Sequence, residues 1–163
     1  MLRAGRHWRP MAAVLVAWLA VAAWVPAHAA SPFAGLSGSW SGSGHIRLDN
    51  GKTEGIRCSA SYAPRGGAAL VLSLRCASQS NRIELRASLV SNGERLSGTW
   101  EERSYNASGS VSGVASGGSL RLSIGGSLSG YMLVTTTGGS QSISVRTDGA
   151  GFRGVSISLR RSN

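Results

Sequence analysis

From Gly38 to the C-terminus, apolar side chains recur at every second position. The run Leu70-Leu72-Leu74-Cys76 is one example, and Ile83-Leu85-Ala87-Leu89, Leu120-Leu122-Ile124, Ile143-Val145 and Val155-Ile157-Leu159 repeat it with Ser or Arg between. Such a period of two marks half-buried strands, since successive side chains leave a strand on opposite faces. No window carries an apolar period of 3.6, so helix is nearly excluded. Short turn signals separate the runs: Asp49-Asn50-Gly51, Pro64-Arg65-Gly66-Gly67, Ser91-Asn92-Gly93, Gly117-Gly118, Gly138-Gly139 and Asp148-Gly149. Each supplies residues that tolerate positive φ. Ten strands follow, near 40–48, 54–62, 68–76, 82–90, 95–103, 107–115, 119–125, 130–137, 141–147 and 152–160. The connections are too short for crossovers, so the fold class is all-β, an antiparallel up-and-down meander. One apolar face per strand must be buried, and closing the sheet into a barrel also removes its edges. A two-sheet sandwich satisfies the same alternation and is the second choice.

The first 29 residues read differently. Arg3, Arg6 and Arg9 precede an uncharged apolar run from Met11 to Val25, which breaks at Pro26 before Ala27-His28-Ala29. This is the pattern of a signal peptide cleaved before Ala30. An apolar stretch of about 15 residues falls short of the roughly 20 that a spanning helix needs, which weighs against a retained anchor. The expected organisation is a signal peptide over 1–29, a lead-in over 30–37 and a barrel domain over 38–163, placed in the periplasm or secreted from a bacterium.

Cleavage changes the balance of charge and chemistry. Three of the 17 basic residues leave, so 14 face 7 acidic ones in the mature chain, a net charge of +7 carried almost wholly by Arg. In an exported protein such a surface meets anionic envelope components before nucleic acid, and nucleic acid is not an expected partner. Both cysteines, Cys58 and Cys76, survive, and in an oxidising compartment an even pair reads as a disulfide. Gly67 lies midway between them, so a turn centred there sets the two face to face on neighbouring strands, both inward. His45 is the only mature histidine and has outward parity beside Ile46. Neither a Cys₂His₂ nor a three-histidine metal site can be assembled, and no cofactor is implied.

The phrase Leu36-Ser37-Gly38-Ser39-Trp40 returns as Leu96-Ser97-Gly98-Thr99-Trp100, with an echo at Leu128-Ser129-Gly130-Tyr131. A strand glycine permits a sharp bend, and a nearby ring fills the space its missing side chain leaves. On Gly38-Ser39-Trp40 the chain resembles the calycin-like barrels, that is lipocalins, fatty-acid-binding proteins and avidins; the second phrase looks like the repeated strand phrases of avidins. It also resembles many small exported proteins of proteobacteria with a similar opening strand. The resemblance implies a ligand cavity opening at one end. The avidin set of polar biotin contacts is missing, so biotin binding is not carried over.

Most charged residues lie on outward parity. Three share parity with core positions: Glu54 with Ile56, Glu102 with Trp100 and Arg153 with Val155. In a meander all three come to the same end of the barrel, and Tyr131 joins them if the 131–135 run is read on odd parity. Glu54, Trp100, Glu102, Tyr131 and Arg153 are therefore the candidate ligand-binding mouth, the alternative being that strand ends are simply wet. Catalysis is not expected. Nothing sets a separation for Glu54 and Glu102 as a glycosidase pair, no Gly-x-Ser-x-Gly elbow occurs, and a triad would have to use His45. The expected function is non-enzymatic binding of a small apolar ligand within the barrel. Binding of polyanions by the Arg-rich exterior is the alternative, and an outer-membrane barrel with its apolar face toward lipid is the second alternative.

Overall fold

The computed structural model describes residues 31–148 and 151–162. Expectations for residues 1–29 fall outside these. A 3₁₀ turn at Ala34–Leu36 is followed by ten strands: β1 Gly38–Leu48, β2 Thr53–Arg65, β3 Ala69–Ala77, β4 Arg82–Asn92, β5 Arg95–Glu102, β6 Ala107–Ser116, β7 Ser119–Gly126, β8 Ser129–Thr137, β9 Ser140–Asp148 and β10 Phe152–Arg161. Every strand pairs antiparallel with its sequence neighbour, and β1 pairs with β10 to close the barrel. The sequence-predicted strands match these within three residues at each end. The excess falls at hairpin ends, where pairing runs on into polar residues that carry no alternation, as at Ala63, Pro64 and Arg65 opposite Val71, Leu70 and Ala69.

Alternation translates directly into burial. Ile56, Cys58, Ala60 and Tyr62 on β2 are buried while Arg57, Ser59 and Ser61 between them are exposed. Since outward positions carry Ser and Arg even at mid-strand, as at Arg75, Arg86 and Arg121, an outer-membrane barrel with a lipid-facing apolar band does not fit this chain. Cys58 and Cys76 are direct register partners, 4.1 Å apart at Cα, and are joined as a disulfide inside the wall.

The wall does not curve evenly. A Cβ added at Gly42 or Gly44 on β1 would lie 2.0 or 1.9 Å from the carbonyl oxygen of Ser158 or Ser156 on β10. On β6, half-way round the barrel, the same holds for Gly109 and Gly113 against Gly125 and Arg121 of β7. Only glycine allows backbones to close in this way. The same close approach occurs at Gly98 of β5 and Gly130 of β8, and at β1 the flanking strands β10 and β2 come into contact across it.

Call the end of the barrel carrying the β1–β2 turn its upper end. The lower end is filled. Phe33 and Leu36 are buried beneath it, and Trp40 donates from Nε1 to the Leu36 carbonyl at 2.8 Å. The Arg161 guanidinium stacks 4.4 Å from the Trp40 ring centroid and donates to the carbonyls of Ser37 and Gly35. Edge-on to the Trp40 ring, Tyr62 donates from its hydroxyl to Gln141 Oε1 at 2.7 Å, and Gln141 in turn donates to Thr136. Burial holds the Tyr62 hydroxyl far above the usual phenol range, more than its bond to Gln141 lowers it. It is thus a neutral, fully used core group.

Candidate functional site: a cavity at the upper end

The upper half of the barrel is hollow. A cavity of about 260 Å³ is walled by Ile83, Leu85, Ala87 and Leu89 of β4, Val111 of β6, Leu122 and Ile124 of β7, Met132 of β8, Ile143 and Val145 of β9 and Val155 of β10, and four of the upper turns add Asn81, Tyr105, Leu128 and Gly151 at its mouth. Several of these side chains point inward yet stay half-buried, among them Leu85, Ala87, Ile124, Met132 and Phe152. In a close-packed interior that combination means a wall facing space. The reason is legible in the residues. Inward positions around the upper barrel include the small residues Ala87 and Ala107, which leave space beside them, whereas the lower half puts Trp40, Tyr62 and Leu159 at its centre.

The polar atoms of the wall are spoken for. Trp100 Nε1 donates to the Gly125 carbonyl at 3.1 Å and the Thr147 hydroxyl to the Phe152 carbonyl at 2.5 Å. Glu102 is 8% exposed, and its carboxylate accepts three backbone N–H bonds: Glu84 at 2.6 Å, Ser104 at 3.1 Å and Tyr105 at 2.7 Å. These bonds pin the β5–β6 turn against β4. Beside it, the Tyr105 hydroxyl donates to Asn81 Oδ1 at 2.7 Å, joining two neighbouring turns over one side of the mouth.

The five residues expected at the mouth separate into three groups. Trp100 and Glu102 line the cavity. Glu54 sits on the rim, outside the lining, and bends over to the β3–β4 turn, where it accepts bonds from Ser78 Oγ at 2.6 Å and Ser80 Oγ at 2.5 Å. The hydroxyls of Ser78 and Ser80 together hold its carboxyl below the usual range.

Tyr131 and Arg153 face outward. On β8 the even positions look inward, so that Met132 packs in the wall while Tyr131 stands 69% exposed between Ser123 and Arg146. Arg153 shares parity with Val155 in sequence, but the register jumps from Arg47 opposite Gly154 to Leu48 opposite Phe152, which leaves Arg153 as the extra residue of a bulge. A bulge reverses the inward–outward order beyond it. Phe152 takes the inward place, and Arg153 ion-pairs outside with Asp49 at 3.8 Å. The sequence reading therefore missed Phe152, Met132, Asn81 and Tyr105. Phe152 was hidden by the bulge, and Asn81 and Tyr105 lie in turns that alternation does not reach.

Among solved structures, the fold matches Rv2717c from M. tuberculosis with a TM-score of 0.69 and 16% identity over 80% of this chain and 95% of that one. The likeness is one of barrel architecture. The fold also matches the S-type phycobiliprotein lyase CPES from Guillardia theta, with a TM-score of 0.56 and 15% identity over 80% of this chain and 90% of that one. EF1p2_mFAP2b bound to DFHBI matches with a TM-score of 0.51 and 11% identity over 81% and 98%. At these identities the likeness establishes the fold alone. No family model and no curated protein sequence matches the chain.

Proposed function

We propose that this is an exported, non-enzymatic binding protein that holds a small apolar molecule in the upper cavity. The observation that carries the reading is a ring of inward apolar side chains left half-buried around 260 Å³ of space, in a barrel whose other end is packed solid. A cavity of about 150 Å³ lined by aliphatic groups accepts benzene, so this one suits a molecule of about ten non-hydrogen atoms. Removal of that surface from water is the driving force, at about 25 cal/mol per Å². The similarity to EF1p2_mFAP2b, which binds DFHBI, supports the same use of the fold.

Naphthalene is a suitable probe because Trp100 reports from the cavity wall while Trp40 lies in the plugged end. Saturable quenching of Trp100 is expected with the purified mature protein. Ala87→Phe should abolish it while leaving the urea midpoint unchanged or higher, because the new ring fills existing space. Equal naphthalene affinity in the filled variant would overturn the proposal.

A second reading rests on the exterior. Arg47 and Arg146 flank Gly154 in one register row, and neither forms an ion pair among the described residues. A polyanion held there should be released between low and high salt, whereas an enclosed apolar molecule should not.

A further inference from the structure

We propose that Glu102 makes the cavity charge-selective: it admits neutral or cationic apolar molecules and rejects carboxylates and other anions. The inference rests on the cavity being the binding site and adds the chemistry of what enters it.

Three observations carry it. First, among the described residues the lining contains no Lys, Arg or His, and Glu102 is its only carboxylic acid. An anion that left water for this wall would find no positive charge, and the Trp100, Thr147, Tyr105 and Ser127 donors are already committed to Gly125, Phe152, Asn81 and Ser108. Desolvation of a charge without a partner is among the most unfavourable steps in protein chemistry. Second, Glu102 receives three neutral N–H donors and no cation; the ion pairs among the described residues are Arg103 with Glu101 and Arg153 with Asp49. Three N–H donors match an acceptor-only carboxylate, but they leave its net charge in place. Third, that charge is buried at the mouth, where solvent screens it far less than it screens the exposed rim pairs. Like charges brought together at such a place repel strongly, while an ammonium gains the matching attraction.

Both oxygens of Glu102 are already bonded: Oε1 accepts two of the donors and Oε2 one. The remaining lone pair on Oε2 is where an ammonium or hydroxyl of a ligand would attach. Glu102 is thus both the clamp of the β5–β6 turn and the specificity-determining group of the site.

The test is a series of equal bulk and different charge: n-propylbenzene, 2-phenylethylammonium and phenylacetate, each titrated calorimetrically into the mature protein at neutral pH. The first two should bind, and phenylacetate should bind at least about tenfold more weakly than n-propylbenzene, a difference of roughly 1.4 kcal/mol. Phenylacetate binding as tightly as n-propylbenzene would overturn the charge selectivity and leave the cavity reading intact. If none of the three bound, the cavity reading would fall and the selectivity with it. Glu102→Gln should narrow the gap between n-propylbenzene and phenylacetate. A gap undiminished in a folded Glu102→Gln variant would show that Glu102 is not its source. Should that variant fail to fold, the wild-type series still decides.

Discussion

At the residue scale, the same chemistry serves opposite purposes at the two ends of the barrel. Tyr62 and Gln141 satisfy each other inside a solid core, while Glu54 and Glu102 spend their carboxylates on the turns that frame an open one. Glu54 gives this a pH signature. Its folded value lies below 4.5, because the Ser78 and Ser80 hydroxyls bond the ionised form. A depressed carboxyl contributes to stability above its unfolded value, and the contribution disappears as pH falls through the folded one. The β3–β4 turn should accordingly loosen only under acid, below pH 4.5. Amide exchange at Ser80 and Asn81 reads this directly: protection should fall with acid in the wild type and show no such step in Glu54→Gln. An identical acid step in both proteins would dissociate Glu54 from the turn.

At the element scale, the β2–β3 hairpin is fixed by pairing from Arg57–Ala77 to Arg65–Ala69 and by the disulfide. Cross-linking a loop of this length constrains the unfolded chain by about 3 kcal/mol. The double variant Cys58→Ala/Cys76→Ala should lose about that much in urea unfolding and keep its barrel spectrum; a loss below about 0.5 kcal/mol would contradict the entropic role. This hairpin was readable from sequence because parity and the Gly67 midpoint agree. The mouth was readable only where strands stay regular. Trp100 and Glu102 follow unbroken alternation on β5, so their inward position was legible. Arg153 was misplaced because one extra residue in a bulge reverses parity, and nothing in Gly151-Phe152-Arg153-Gly154 announces which residue is extra. Tyr131 was misplaced because Tyr131-Met132-Leu133-Val134 is apolar on both parities, so alternation carries no signal there.

At the scale of the whole molecule, the barrel is the alternative that forms: β1 pairs with β10 and the sheet closes on itself. What the alternation could not say is how far the interior is filled, because that depends on side-chain volume at each height in the barrel. The plugged end is closed by Trp40, Phe33, Leu36 and Tyr62, while the open end has no such plug. The central claim is that the space left there is a binding site. The most direct measurement is the set of nuclear Overhauser contacts between bound n-propylbenzene and the methyl groups of the mature protein. Contacts to Leu85, Ile124 and Val145, with none to Leu70 or Leu159, are the expected result; contacts confined to Leu133 on the exterior, or no saturable contacts at all, would contradict it.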